Sequence, residues 1–401
     1  MKRFVVCLDG TWNNTSREVE RKDGSRVYRP TNVLKLARST TQRDPSGVSQ
    51  ITYYDAGVGA MNRAPDLGAR IVRWVDNKVG GGWGAGFEVN IEEAYTFLAN
   101  NYSKDDEIFI FGFSRGAAQA RSLCRLIEWF GGFPTKNDAY YAPRMFDHYL
   151  ANRGESKTPT LWEDLNDRRR KRGDPPLDPI VPATIVYLGV WDTVLALGSR
   201  FLAGGGTTRK QKQFHTPGEP PSIVRHVRHA LAIDEQRHDF QPEVFRQDTG
   251  HTSLEQRWFA GVHSNVGGGL TSDGLANCAL RWIFDKAVAA GLDVRKEYLQ
   301  FFEEFPEDTA PGKSMGFAVA DTFLRPIRGF NGVRDLRTPK GMTLDPTVFD
   351  RLNANLNESD KLPEAYRPGN LLHYLAEHDE HDAKLGPDAL ADVKKIRKGL
   401  V

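Results

Sequence analysis

Residues 107–118 constrain the fold of this chain more than any other stretch. Residues 108–111 form a continuous apolar run, which is typical of a strand buried on both faces. The run leads into residues 112–116, whose sequence GFSRG matches the G-x-S-x-G pattern of a nucleophile elbow, with Ser114 at its centre. Helically spaced apolar side chains follow over residues 120–130. The stretch therefore predicts a strand, a sharp turn and a helix that begins next to Ser114.

The glycines of this pattern have a spatial explanation. A nucleophile elbow holds its serine in a strained backbone conformation, and a side chain at Gly112 or Gly116 would strike the facing strand or helix. The N-terminus of the following helix favours a developing negative charge beside Ser114. We therefore predict that Ser114 is a nucleophile. Because the pattern is short, a tight turn with a serine that takes no part in chemistry is the alternative.

Composition excludes several classes of protein. The chain has 401 residues, enough for a large core, and its 39% hydrophobic and 26% charged residues are ordinary for a soluble globular protein. The 54 basic and 52 acidic residues nearly balance, which argues against a dedicated nucleic-acid-binding protein. The three cysteines, Cys7, Cys124 and Cys278, are far apart, which argues against a disulfide framework or a cysteine-based zinc site.

The sequence shows neither a signal peptide nor a membrane-spanning segment. The apolar run at residues 4–8 is too short for a signal-peptide core and soon meets Asp9. No apolar run approaches the length that crosses a bilayer. We therefore expect synthesis in the cytoplasm, and any export would use a route that reads no cleaved signal.

The order of predicted elements indicates the fold class. A helix over residues 88–102 precedes the strand and helix of the elbow, which is the signature of a βαβ unit and a mostly parallel sheet. We predict a three-layer α/β-hydrolase-like fold with helices on both faces of the sheet and lid-like insertions. The predicted units are a catalytic domain over 1–300, insertion or lid loops over 131–180 and 200–222, and a C-terminal extension over 301–401 packed on that domain.

Two further strands end in residues that could complete a catalytic triad. Residues 183–191 lead into Asp192, and residues 256–262 lead into His263 and a glycine-rich turn. The carboxyl ends of parallel strands meet at one edge of a sheet. Ser114, Asp192 and His263 follow the serine–acid–histidine order of α/β hydrolases, so we predict that His263 is the base and Asp192 its partner. Alternatively, Asp192 is a helix N-cap, and His263 is one of ten histidines without a special role.

Other predictions complete the candidate site. Asp9, Gly10 and Thr11 follow the first strand, and we expect them to line the site and to supply an oxyanion N–H beside that of Arg115. An Asx turn is the alternative for this loop. Residues 225–232 are predicted to be a helix whose histidines serve packing or lie on the surface.

Three conspicuous clusters have simpler explanations. The glycines at 80–86 lack the lysine of a P-loop and indicate a flexible loop. The basic run at 168–172 is typical of a solvated helix face, with contact to anionic lipid as the alternative. The histidines and acids at 378–382 belong to a charged helix end. We predict no metal site and no organic cofactor.

Six motifs, taken together and in order, resemble one family. The chain is similar to the uncharacterised α/β-hydrolase domains related to type VI secretion phospholipase effectors, and the resemblance runs from residue 1 to about residue 290. The motifs are residues 8–13, 30–33, 57–59, 112–117, 189–194 and 261–269. The resemblance implies a serine hydrolase, in its effector branch an esterase that acts on glycerophospholipids, with Ser114 as nucleophile and Asp192 and His263 as its partners.

The sequence predicts a serine esterase of phospholipase type that acts through an acyl-enzyme. The resemblance implies as partners a lipid or other ester substrate, a membrane surface, and an immunity or secretion-apparatus protein, with export by a contact-dependent secretion system. Two alternatives stay open. Asn265 and Asn277 stand where the family usually has aspartate, which would fit a hydrolase-like binding protein without turnover. The other alternative is a cytoplasmic esterase of a small soluble ester.

Overall fold

The computed structural model describes most of the chain, and the structural statements below concern the described residues. These are residues 1–10, 18–20, 26–57, 82–152, 160–195, 218–237, 240–246, 253–270, 272–299, 304, 306, 333–337, 341–354 and 365–399. Thr11, part of the glycine cluster at 80–86 and most of the predicted loop 200–222 lie outside them.

Strands and helices occur along the whole of the described chain. The strands are β1 (Lys2–Leu8), β2 (Glu18–Glu20), β3 (Arg26–Tyr28), β4 (Ser49–Asp55), β5 (Glu107–Phe113), β6 (Gly132–Phe133), β7 (Val181–Pro182), β8 (Ile185–Trp191), β9 (Val224–Ala232), β10 (Ser253–Phe259) and β11 (Thr343–Leu344). The helices are α1 (Asn32–Ser39), α2 (Gly82–Asn101), α3 (Arg115–Phe130), α4 (Ala142–Ala151), α5 (Leu161–Arg172), α6 (His263–Gly267), α7 (Gly274–Ala289), α8 (Lys296–Leu299), α9 (Pro346–Asn353), α10 (Gly369–Glu377) and α11 (Pro387–Arg397).

Seven parallel strands form the central sheet. Their order is β11-β10-β9-β8-β5-β1-β4, and every neighbouring pair runs in parallel. The sheet separates two apolar cores, because alternate residues of a strand point to opposite faces. On β1, Phe4 and Val6 pack with α2 and α3, whereas Val5 and Cys7 pack with α1 and α7. This arrangement of helix, sheet and helix confirms the predicted three-layer α/β-hydrolase-like fold.

Strand β9 corrects the prediction of a helix over residues 225–232. Val224, Val227 and Ala230 are spaced three residues apart, which imitates the apolar face of a helix. The segment instead lies between β8 and β10, where most of its side chains are buried against the helices on both faces of the sheet. A strand in the middle of a parallel sheet needs no alternation of apolar and polar residues, so its pattern is ambiguous.

The predicted insertion at 131–180 begins and ends at the amino edge of the sheet. The helix α3 starts at the carboxyl end of β5 and carries the chain back to the other edge. There β6 and β7 pair in antiparallel fashion, immediately before β8 begins. Ser114 lies at the opposite edge, so the position of these ends lends no support to a lid role, which stays a prediction.

The described part of the C-terminal extension packs on the sheet. Strand β11 pairs with β10 and adds an edge to the same sheet. A third apolar cluster joins β9 and β10 to the C-terminal helices through Leu231, Trp258, Val348 and Leu371, all of which are buried. Because β11 belongs to the main sheet, the boundary near residue 300 remains a proposal. Of the helices that the structure describes, none has the length and apolar character needed to cross a bilayer.

Two glycines allow the elbow to pack. A Cβ atom added to Gly112 would lie 2.4 Å from the Gly116 carbonyl oxygen, and one added to Gly116 would lie 2.1 Å from the Leu8 carbonyl oxygen. Both neighbours are backbone atoms and cannot rotate away. The elbow is therefore pressed against β1 as the sequence predicts.

We expect Gly116→Ala to lower the free energy of unfolding by about 1–3 kcal/mol, because the methyl group forces α3 away from β1. Gly369→Ala is the matched control, since Gly369 also lies in the first turn of a helix but a Cβ there meets nothing within 4 Å. Urea unfolding of both variants measures the difference. Equal effects of the two substitutions would contradict the explanation.

Candidate active site

Ser114 lies at the carboxyl edge of the sheet, between β5 and α3. Its φ of 59° lies in the left-handed region that non-glycine residues rarely adopt. The Ser114 N–H donates to the Trp191 carbonyl oxygen at 3.0 Å, which ties the turn to the end of β8. Only 8% of the serine surface is exposed. A strained serine on a sharp turn, held by two neighbouring strands, is the geometry of a nucleophile elbow.

The structure brings the three predicted catalytic residues together. His263 Nε2 lies 2.8 Å from Ser114 Oγ, and His263 Nδ1 lies 2.6 Å from Asp192 Oδ2. All three side chains are buried. A carboxylate can only accept, so Nδ1 carries the proton and Nε2 is left to accept from the serine hydroxyl. The imidazole packs against the rings of Phe113 and Phe240, which restrict its rotation.

Asp192 receives hydrogen bonds on both carboxylate oxygens. Oδ1 accepts from the Ala232 N–H at 3.0 Å and from Arg334 Nη1 at 2.6 Å, whereas Oδ2 accepts from Arg334 Nη2 at 2.9 Å as well as from His263. Complete burial alone would raise the pKa of Asp192. The Arg334 guanidinium and the bond from His263 outweigh it and hold the pKa of this carboxyl well below its usual range. Asp192 is therefore ionised at neutral pH.

Arg334 is the site residue that sequence reasoning missed. It lies 142 positions from Asp192, outside any strand or helix, in a segment dominated by charges, glycines and prolines. No local pattern distinguishes it from the other arginines. The one general signal is that a buried carboxylate needs a compensating cation, and that rule does not say which cation.

The neighbouring His229 is neutral, and both of its ring nitrogens form hydrogen bonds within the fold. Its Nε2 accepts from the Thr193 N–H at 3.3 Å, so its Nδ1 carries the proton and donates to Gln256 Oε1. Complete burial, with a further contribution from the Arg121 cation, lowers the pKa of His229 to about 3. The prediction that this histidine serves packing is consistent with these contacts, although the element that carries it is a strand.

The loop after β1 lies beside the elbow, but its described amides are engaged. The Asp9 N–H donates to the Asp55 carbonyl oxygen, and the Gly10 N–H donates to Asp9 Oδ1. The same carboxylate also accepts from the hydroxyls of Thr31 at 2.5 Å and Tyr54 at 2.7 Å. An Asx turn would need a bond from the N–H of Thr11, two residues on, which lies outside the described residues, so that alternative stays open. An oxyanion donor from this loop would be Thr11, which lies outside the described residues, or Gly10 after it exchanges its partner.

Arg115 contributes to the site through its position at the start of α3. Its N–H belongs to the first turn, whose amides point out of the helix end toward the space beside Ser114. Its side chain is buried, and this burial lowers the pKa of the guanidinium to about 10.

Asn265 and Asn277 have structural contacts away from the position of the triad acid. Asn265 Oδ1 accepts from the Val262 N–H at 3.1 Å and so caps α6. Asn277 Oδ1 accepts from Lys35 Nζ at 2.6 Å, and the charge of the buried Lys35 ammonium is compensated by Asp273, the residue just before α7. The carboxylate on His263 belongs to Asp192, so neither asparagine stands where that acid is needed.

The remaining predicted clusters lie apart from this site. In the part of the chain that the structure describes, no group of three or more histidine, cysteine, aspartate and glutamate side chains is arranged to hold a metal ion. The basic run at 168–172 forms the exposed end of α5, where Arg170 and Arg172 reach solvent. These contacts agree with the interpretation of a solvated helix face.

A family profile decides the relationship of the chain. The family described as "T6SS, Phospholipase effector Tle1-like, catalytic domain" matches residues 2–286. The chain belongs to this family. The match covers the elbow, Asp192 and His263, which are the residues through which the sequence resembles these effectors, but it ends before Arg334.

Similar proteins are longer than this chain. The uncharacterized protein YEL023C of Saccharomyces cerevisiae is 26% identical over 252 residues, which is 61% of this chain and 33% of the yeast protein. An uncharacterized protein from Pseudomonas aeruginosa is 18% identical, with a TM-score of 0.43 over 98% of this chain and 61% of the solved chain. The Tle1 effector bound to the VgrG spike of the type VI secretion system is 21% identical, with a TM-score of 0.36 over 67% of this chain and 51% of the effector.

We expect Asp192→Asn to lower the free energy of unfolding by about 3–5 kcal/mol at neutral pH, because it leaves the buried Arg334 cation uncompensated. Asparagine keeps the shape and tolerates the φ of 41° at this position, so the loss reflects charge. The depressed pKa of Asp192 stabilises the fold above the unfolded value of about 3.9. The difference between wild type and variant should therefore shrink as the pH falls below about 4.

Denaturant unfolding of the two proteins across pH measures this difference. Asp392→Asn is the control, since Asp392 forms more exposed ion pairs with Arg367 and Lys395 and should contribute at most about 1 kcal/mol. A wild type and an Asp192→Asn variant of equal stability at pH 7 would show that the buried pair is not needed by the fold.

Proposed function

We propose that this protein is a serine esterase that hydrolyses glycerophospholipids through an acyl-enzyme. The observation that supports it most is the unbroken hydrogen-bond chain from Ser114 Oγ through both nitrogens of His263 to Asp192. The position of Ser114 on a strained elbow at the start of α3 supports it as well. Membership of a family of phospholipase effectors supports the choice of a lipid ester.

In the proposed acylation step, His263 Nε2 takes the hydroxyl proton of Ser114 while Oγ attacks the ester carbonyl carbon. Asp192 holds the Nδ1 proton and stabilises the imidazolium that forms. The Arg115 N–H and an amide of the loop after β1 bind the oxyanion, a contribution of about 3–4 kcal/mol per donor in enzymes of this kind. His263 then gives its proton to the departing alcohol, and the acyl group stays on Ser114.

In the proposed deacylation step, the same groups act on water. His263 Nε2 takes a proton from a water molecule whose oxygen attacks the acyl carbon, and then returns the proton to Ser114 Oγ. The products are a fatty acid and the alcohol released earlier, which for a phospholipid is the lysophospholipid. Asp192 accepts the hydrogen bond from His263 Nδ1 through both steps, and its carboxylate stays ionised.

The proposed partners follow from the family. We propose a glycerophospholipid surface as the substrate, and an immunity protein and a part of the type VI secretion apparatus as protein partners. A solved Tle1 effector is bound to the VgrG spike, which supports a similar carrier for this chain. Contact-dependent export and peripheral membrane contact through the basic end of α5 belong to the same proposal.

We expect Ser114→Ala to reduce ester hydrolysis by at least about 10⁴-fold and to abolish covalent labelling by a fluorophosphonate. The assay compares phospholipid vesicles with short soluble acyl esters, and it follows release of fatty acid. Faster hydrolysis of vesicles supports a phospholipase, and faster hydrolysis of the soluble ester supports the alternative of a small-ester esterase.

Ser122→Ala is the matched control for this experiment. Ser122 is a buried serine on the same helix α3, and its loss removes a hydroxyl without touching the elbow. It should keep both labelling and turnover. Fluorophosphonate labelling that persists in Ser114→Ala would reject Ser114 as the nucleophile.

The alternative of a binding protein without turnover makes a different prediction. If Asn265 or Asn277 replaced the catalytic acid, restoring aspartate should create activity. We expect Asn265→Asp and Asn277→Asp to change kcat/KM by less than about tenfold, because Asp192 already occupies the position next to His263. Inactivity of the wild type toward both ester classes, together with a large gain in either variant, would favour the binding protein.

A further inference from the structure

We propose that Arg334 is a positioning residue that completes the catalytic triad from outside the matched family region. The inference rests on the proposed function, and it assigns to the C-terminal extension a part in the chemistry of Ser114. The two Nη atoms of Arg334 contact the two carboxylate oxygens of Asp192 in a fork, at 2.6 and 2.9 Å. Only 2% of the arginine surface is exposed, so water does not weaken this pair.

The fork fixes the rotation of the carboxylate. Asp192 presents Oδ2 to His263 only in one orientation, and both of its oxygens are held in that orientation by a rigid planar group. The same guanidinium donates to the carbonyl oxygens of Ala232 at 2.7 Å and Phe240 at 2.5 Å. The Phe240 ring packs edge-on against the imidazole with a centroid distance of 4.9 Å. Arg334 therefore positions both the Asp192 carboxylate and the Phe240 segment whose ring packs against the His263 imidazole.

The C-terminal extension holds Arg334 in turn. Asn370 Nδ2, in α10, donates to the Arg334 carbonyl oxygen at 3.2 Å and to the Ile233 carbonyl oxygen at 3.1 Å. The Tyr366 hydroxyl donates to the Asp234 carboxylate at 2.9 Å. Both contacts join the extension to the segment just after β9, next to the site. The extension is therefore joined to the site by directed bonds as well as by apolar packing.

Charge gives Arg334 a second effect, on the protonation of His263. Among the described residues, the charged side chains bonded to His263 are Asp192, which pairs with Arg334, and Glu235, which accepts from the His263 backbone N–H at 3.3 Å and pairs with Arg237. The nearby His229 is neutral. Each carboxylate thus has its own guanidinium. Removal of Arg334 leaves one uncompensated negative charge at hydrogen-bond distance from the imidazole, which favours the protonated form that cannot act as a base.

The test measures kcat and the pH profile of kcat/KM for wild type, Arg334→Met and Arg334→Lys. Methionine fills the space without charge. We expect kcat to fall about 10- to 100-fold, the range seen for residues that orient a metal-bound histidine. The acid limb of the profile should move to higher pH by about one unit or more. Lysine keeps the charge but not the fork, so its kcat should fall while its acid limb stays near that of the wild type.

Arg351→Met is the matched control. Arg351 is a buried arginine of α9 in the same C-terminal extension; it donates to the Pro306 carbonyl oxygen and lies over the Tyr366 ring. Its loss should lower the melting temperature without moving the acid limb. An Arg334→Met enzyme that loses only stability, with the kcat and pH profile of the wild type, would overturn the inference and leave the proposed esterase intact.

A readout without turnover separates the two proposals. The ring signals of His263 are followed by NMR from pH 4 to 9 in wild type and in Arg334→Met. A midpoint that moves to higher pH in the variant supports the positioning role even if no ester is hydrolysed. An unchanged midpoint overturns it. The proposed function fails by a different result: a wild-type protein that neither hydrolyses esters nor reacts with fluorophosphonate at Ser114.

Discussion

The buried ion pair between Asp192 and Arg334 is the interaction on which the candidate site depends. Burial alone raises the pKa of the Asp192 carboxyl, and without the cation only His263 and one backbone N–H would hold the charge and the direction of this group. The guanidinium keeps the charge in place, and the fork defines its direction. The charge and the orientation of Asp192 are therefore fixed before any substrate binds. Such preorganisation is the condition under which electrostatic stabilisation contributes to catalysis.

The parallel sheet determines where this pair can form. The ends of β5, β8 and β10 deliver Ser114, Asp192 and His263 to one edge, and the bond from the Ser114 N–H to Trp191 fixes two of these ends against each other. Strand β9 lies between β8 and β10 and contributes the Ala232 N–H and carbonyl oxygen that hold Asp192 and Arg334. Arg334, Tyr366 and Asn370 of the extension contact this edge, so the described part of the extension belongs to the environment of the site.

Local patterns predicted the elbow, the sheet and the three strand-end residues, because each depends on a short apolar run followed by a polar residue. They failed where tertiary surroundings override the local preference. Residues 225–232 have apolar spacing that suits a helix, yet they form the buried strand β9. The oxyanion role of the loop after β1 stays a prediction, because the amides of Asp9 and Gly10 already have acceptors and Thr11 lies outside the described residues. Asn265 and Asn277 suggested a missing acid, and their contacts are instead a helix cap and a bond from Lys35.

The sequence by itself determined the fold class and the family, and it predicted the order of a serine, an acid and a histidine at strand ends, since these features reside in periodicity and in contiguous motifs. Only the tertiary structure decided which carboxylate meets His263 and which cation compensates it. The physical reason is that pairing of buried charges depends on distance in space. Arg334 and Asp192 are 142 positions apart in the sequence, and no local pattern identifies Arg334 as the partner. A compensating cation is required by electrostatics, but its identity is fixed only when the extension packs against β9 and β10.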